Sequence, residues 1–321
     1  MTLTTPASID EAYRVAGPPG GGRRTGRGSR LPVPARPPAP RDGRWWVGAA
    51  LLTLSVTLLA FVAHVAVLST FQHHRAQTLA YGDLRTALAK AEAPTGQLDL
   101  REDLVAAGTP VAWLQIPSIE LSEVVLEGST AEVLRSGPGH RRDSVLPGQP
   151  GTAVVLGRQL TYGGPFGDLS RLQPGDEITV TTGQGASTYR VFGLRRAGDP
   201  LPEALRSGEG RLELLTADGL ALLPDGVLHV DAELVSEPYD ASSRVMAYAA
   251  LPAAERAMGQ DREAWTLVVF VLLLLVGAGA ATWWLWTRWG RWHAWVVGVP
   301  VLLALGVTGA DAVMGALPNL L

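Results

Sequence analysis

Apolar positions along the chain fall into two regimes. At three places they run together without interruption. From Trp45 to His74 no residue is charged when histidine is neutral, which exceeds the roughly 20 residues that a membrane-spanning helix needs. Ala264–Thr287 is a second charge-free run, and Ala294 to about Ala316 is a third, clean until Asp311. Between the first and second, the apolar residues come in short runs set off by turn residues. These are 111–116, 123–127, 151–157, 176–182, 187–197, 211–216 and 226–235, punctuated by "PGQPG", "QPGD" and "TGQG". Such runs read as strands. Seven or eight of them in one segment, with only "AEVLRS" and "FGDLSRL" helical, predict a closed or nearly closed β-barrel.

The pattern divides the chain into a Pro/Gly/Arg-rich tail (1–44), a first span (45–70) and a stalk (71–107). A barrel (108–236), a linker (237–263), a second span (264–287), a short loop (288–293) and a third span (294–317) follow. In the stalk, "RAQTLAYGDLRTALAKAE" has helical spacing, broken at Pro94-Thr95-Gly96. Nine of the ten tryptophans lie at or near the ends of the three spans, as expected of indole rings in the headgroup layer. Buried core helices would not need them there, and a cleavable leader would be shorter than the first run.

Charge sets the orientation. Residues 1–44 hold eight arginines against Asp10, Glu11 and Asp42, and the short loop adds Arg288 and Arg291. Both belong on the cytoplasmic side of a cell membrane. Residues 75–263 carry 17 basic and 26 acidic side chains and belong outside it. The arginines of the tail lie where anionic lipid would meet them. Nothing in the pattern suggests nucleic acid as a partner.

Composition matters most through an absence: the chain has no cysteine, hence no disulfide, thiolate nucleophile or thiolate metal site. No spacing of His, Asp or Glu suggests a metal, and no cofactor is expected.

Within the barrel segment, "LQIPSI" and "VVLEGST" are followed by "LRSGPGHRRDSVLPGQPGTAVVLG" and then "LTYGGPFGDLSRLQPGDEITVTTGQGASTYRV". In this order, over about Val111–Val235, they resemble the sortases, the cysteine transpeptidases that attach proteins to Gram-positive cell walls. The resemblance implies an eight-stranded β-barrel, outside the membrane and joined here to three transmembrane helices, and so a mainly β protein. It also implies where the chemistry should be, and there the chain departs. Arg158 stands at the position of the catalytic histidine, Ala217 at that of the cysteine, and Val227 or a neighbour at that of the arginine that holds the oxyanion. By this resemblance the groove is formed by Arg158, Gln159, Thr161, Tyr162, Thr216, Ala217, Asp218 and Val227, with an apolar centre and Arg158 at the edge.

Substitutes are poor. An arginine is permanently charged near neutral pH and shuttles no proton. Thr216 and Asp218 flank Ala217, but successive strand side chains point to opposite faces. His140 reads as a loop hydrogen bond, His229 as a strand residue that packs or faces solvent, and His73 and His74 as interfacial. Asp311, lone in an apolar span, is a functional candidate or a residue near enough to the outer end to reach water. Three readings stand open. One is an inactive sortase-like protein binding a sorting-signal-like peptide or a partner protein outside the membrane. The others are an active transpeptidase or hydrolase with displaced catalytic groups, and a structural membrane anchor.

Overall fold

The computed structural model describes residues 43–321, apart from 221–222, 243–244 and 262. The tail expected over 1–44 lies outside the described residues except for its last two. The chain divides into two compact units at Leu51/Leu52; the described part of the first is the opening of helix α1 (Gly43–Ala63).

Helix α1 passes through one π-helical stretch, His64–Leu68, into helix α2 (Ser69–Lys90). Helix α2 stops where Ala91 turns left-handed (φ 57°), with Pro94 beyond, as helices commonly end. It does not stand free of the barrel. Ala80 and Leu84 bury against Val124 and Leu126, Tyr81 meets Trp113 edge to face at 5.5 Å, and Gln77 bonds both the N–H (2.7 Å) and the carbonyl (3.1 Å) of Val124. An amide that satisfies a strand's donor and acceptor together fixes the helix's height on the barrel.

The strands are β1 (Pro110–Ile116), β2 (Leu121–Glu127), β3 (Gly139–His140), β4 (Gly151–Leu156), β5 (Glu177–Thr182), β6 (Gly185–Arg195), β7 (Gly210–Leu220) and β8 (Leu223–Leu234). They close into a barrel in the order β1-β2-β3-β4-β7-β8-β6-β5. The pairs β2/β3 and β4/β7 are parallel and the others antiparallel. Strand β3 carries only two residues, too few to show a period, and was not visible in the sequence. Alternation then decides burial. Ala153, Val155, Leu212, Leu214, Leu228 and Val230 fill the interior, while Val154, Leu156, Leu215 and Ala217 face the other way.

Two helices follow a segment held along the barrel: Tyr239 N–H bonds the Gly148 carbonyl (2.8 Å), and Gln97 accepts from Val245 and Met246. Helices α4 (Ala264–Trp289) and α5 (Arg291–Ala316) form an antiparallel pair with Gly290 alone between them, at φ 97°. (A short helix α3, Val133–Ser136, precedes β3.) The six-residue loop expected at 288–293 is absent because both arginines are taken into helix ends. Close packing rests on small residues: a Cβ on Gly298 would lie 2.4 Å from Thr282 Cγ2.

Both helices are long and apolar enough to cross a membrane, and only 11% of the apolar window is buried in each. That disfavours the buried-core alternative, since an unpartnered apolar surface of this size needs an apolar solvent. Among the described residues these two meet the length and hydropathy test, not the three expected. The run at 45–70 is helical, but it does not end as a separate span. It continues into α2, and in its last turns His64 and Ser69 are buried on protein. The expectation of a mainly β chain is also corrected: among the described residues 40% is helical, because a few long helices outweigh eight short strands.

Candidate functional site

Strands β4 and β7 run parallel with Leu156 opposite Leu215, and the Gly157 N–H bonds the Leu215 carbonyl (2.9 Å). Arg158 therefore leaves β4 beside the end of β7. On β7, Ala217 is opposite Val227 of β8. Phe166 lies under the turn: a Cβ on Gly157 would be 2.4 Å from its ring, so only glycine passes there. The Phe166 N–H bonds the Arg158 carbonyl (3.0 Å).

Arg158 was expected at the rim but is fully buried. Its Nη1 donates to Thr161 Oγ1 (3.0 Å) and to the Leu321 main-chain oxygen (2.9 Å), and Nη2 donates to the Ala131 carbonyl (2.7 Å). Its Nε has no hydrogen-bond partner. Burial pushes the guanidinium down to about 10, so it remains a cation at neutral pH.

Around it, Tyr162 adopts φ 52°, a conformation that side chains rarely take. Its ring lies 5.2 Å from the Arg158 guanidinium, and its hydroxyl donates to Asp311 Oδ1 (2.8 Å). Burial, then the Asp311 carboxylate, raises this phenol to about 12. Asp311 also lies 3.0 Å from His64 Nε2 and 3.5 Å from Gln72 Nε2. It thus does not reach out to water alone; it joins α5 to the π-helical stretch and to the barrel. A polar recess of about 260 Å³ lies beside it, with Gln72, Glu132, Arg135 and Tyr162 in its wall.

The remaining sequence candidates separate. The Thr161 hydroxyl is buried and donates to the Leu321 oxygen. Gln159 donates its N–H to the Leu320 carbonyl (2.9 Å) and its amide to Gly219 (3.3 Å). Thr216 has the inward parity of Leu212 and Leu214, and its buried hydroxyl has no partner. Asp218 is bound to Arg196 at 2.8 Å. Ala217 offers only a methyl group, packed in one cluster with Leu134, Leu156, Leu320 and Leu321. Among the described residues no group of three metal-ligating side chains occurs.

His140 does make a loop contact, in a form that imitates a catalytic row. Its Nδ1 lies 2.8 Å from Glu127 Oε2, and its Nε2 lies 3.0 Å from Ser144 Oγ. The order Ser–His–Glu is that of a hydrolase triad, but the protons are committed elsewhere. Nε2 is 2.9 Å from the Val145 carbonyl, so it is a donor, while the Ser144 hydroxyl donates to the Arg141 carbonyl and accepts from the Val154 N–H. All three residues are buried. Burial lowers the pKa of the imidazole, but Glu127 and the Val145 carbonyl outweigh it and the net shift is upward. This is an imidazolium–carboxylate pair. A second cluster on the wall, Arg195 with Asp231 (2.7 Å) and His229 with Glu213 (2.7 Å), pins β6, β7 and β8 together.

The feature missed in the sequence is Leu317–Leu321. After α5 this segment returns to the barrel and covers Ala217. Its only sequence signal is a proline and an asparagine closing an apolar run.

Fold and site thus define a closed β-barrel domain, covered at the ends of β4 and β7 by Leu317–Leu321 and joined to two membrane-length helices. The domain is a sortase domain: residues 114–217 match the sequence profile of that domain. Two curated relatives are sortase D of Bacillus subtilis, 32% identical over 78 residues (24% of this chain and 38% of the relative), and sortase SrtE1 of Streptomyces coelicolor, 26% identical over 161 residues (48% and 44%). The matched part thus spans less than half the length of either. The solved structure of sortase E from Streptomyces avermitilis is 32% identical, covers 47% of this chain and 99% of its own, and has a TM-score of 0.36.

Proposed function

We propose that this is a membrane-anchored sortase-like protein that performs no transpeptidation and uses its groove to bind a sorting-signal-like peptide or partner protein at the outer face of the cytoplasmic membrane. One observation carries this reading: the centre of the groove is the methyl group of Ala217, and the neighbouring cation, Arg158, is bound to main-chain and hydroxyl oxygens. Acyl transfer needs a nucleophile, a group that protonates the leaving amine and a donor for the oxyanion. Arg158 supplies charge only. Thr216 and Asp218, the candidates for displaced chemistry, are turned away or paired, and the Ser144 row is closed to solvent.

The distribution of arginine supports a tail inside and a barrel outside. Protease added to intact protoplasts should then cut within 75–263 and spare 1–44; a protected barrel would reverse the topology.

For activity, the full chain in detergent should neither cleave nor transfer a sorting peptide above a no-protein control. Ala217→Cys with Arg158→His and Val227→Arg tests whether the groove still supports acyl-enzyme formation, seen as a mass increase on the new thiol. Turnover by the unaltered chain that is lost in Thr216→Ala or Asp218→Ala would replace this reading with that of a displaced nucleophile.

A further inference from the structure

The groove is already occupied. The Leu321 N–H bonds the Pro318 carbonyl (3.1 Å), closing a turn over Pro318–Leu321 that lies against the ends of β4 and β7. Leu320 and Leu321 share one apolar cluster with Ala217, Val154 and Leu215, with Val227, Met258 and Leu317 at its margin. The main chain of this segment is bound by the very residues that follow β4. Gln159 N–H takes the Leu320 oxygen, and Arg158 and Thr161 take that of Leu321. Its one polar side chain is received through its donor end, while its Oδ1 has no partner. Asn319 is fully buried, and its Nδ2 donates to the carbonyls of Ser129 (2.7 Å) and Arg256 (2.9 Å), with Ala254 at 3.3 Å. Its N–H bonds the Gly259 carbonyl (3.0 Å).

We propose that Leu317–Leu321 is a ligand of this groove acting in cis. The partner that competes for the groove is a turn-forming peptide with a side-chain carboxamide followed by two apolar residues. This rests on the reading of the groove as a peptide site and states what fills it. Three features separate a ligand from ordinary packing. The segment is held through its backbone, as peptides are held in recognition grooves. Its carboxamide donates into a cradle of carbonyls that only a donor satisfies, so a carboxylate there would be repelled. And the apolar pair packs in one cluster with Ala217, at the centre of the groove. A partner peptide enters only as the segment leaves, so binding in the groove competes with docking of the end of α5.

The absence of cysteine permits a clean test. In the full chain, Ala217→Cys with Leu321→Cys should be joined by a short bismaleimide in most molecules. The tether gives the segment an effective concentration in the millimolar range, so roughly 10 mM acetyl-Leu-Pro-Asn-Leu-Leu-amide is needed to halve the yield. Adding Asn319→Ala removes the amide donations of the cis ligand and should lower the peptide needed by about tenfold. No crosslink, or a yield that ignores the peptide in both backgrounds, overturns the proposal. That failure leaves the inactive-sortase reading intact, which falls only to turnover in the transfer assay; turnover there would in turn leave the crosslink result standing.

Discussion

Replacing Phe166 by alanine should lower the unfolding free energy by about 3–5 kcal/mol, the range for large aromatic truncations in cores. The ring is fully buried in the main cluster with Leu169 and Leu172. It also underlies the Gly157 backbone, so the space it leaves is walled partly by main chain, which relaxes less than side chains do. The N–H of residue 166 still reaches the Arg158 carbonyl in the variant, so the loss reaches the site through the missing support under Gly157. Guanidinium titration of the full chain in detergent measures it, with Phe166→Leu as the milder variant. A loss below about 1 kcal/mol would mean that the neighbours collapse into the gap, and that the turn bearing Arg158 stands without this support.

The second large effect belongs to the Glu127–His140 pair. Removing one partner of a buried ion pair typically costs about 3–5 kcal/mol because the other is left uncompensated, and Glu127→Ala should fall in that range. The pH dependence should also change sign. In the natural chain the folded-state pKa of His140 lies above 6.5. Its stabilising contribution is complete below 6.5 and is lost as pH rises through the folded value. Without Glu127, burial is the dominant influence left on the ring and lowers its pKa. Stability attributable to His140 is then lost as pH falls. Denaturation midpoints across pH 5–9 and the ring's NMR titration distinguish the two. A folded-state midpoint at or below 6.5 in the natural chain would remove the imidazolium reading. Ser144→Ala should cost about 1–3 kcal/mol, because it leaves the buried Val154 N–H without its acceptor.

The barrel was legible because period-two alternation and turn chemistry are local signals, and seven of its strands lie within a few residues of their predicted places. β3 was not, since a two-residue strand is defined by its neighbours in space. The positions 158, 217 and 227 followed from the order of motifs, but the burial of Arg158 did not, because what covers it comes from the far end of the chain. The same holds for Asp311. A charge in an apolar span signals a partner, yet nothing in the sequence names Tyr162 and His64. Long-range polar pairing and the docking of Leu317–Leu321 are products of tertiary geometry, and no window of neighbouring residues contains them.

The hairpin of α4 and α5 leaves the barrel after β8 and comes back to it at Ala217. It is therefore attached like the handle of a cup, at both ends, with the Asp311–Tyr162 contact as a third fixing. A hinge tethered at one point lets an anchor swing freely and hides its motion from the domain it carries. A handle does not: a tilt of the two helices becomes a pull at one attachment and a push at the other. One of those attachments is the cluster around Ala217, so a tilt of the helix pair acts on the residues packed beside Arg158.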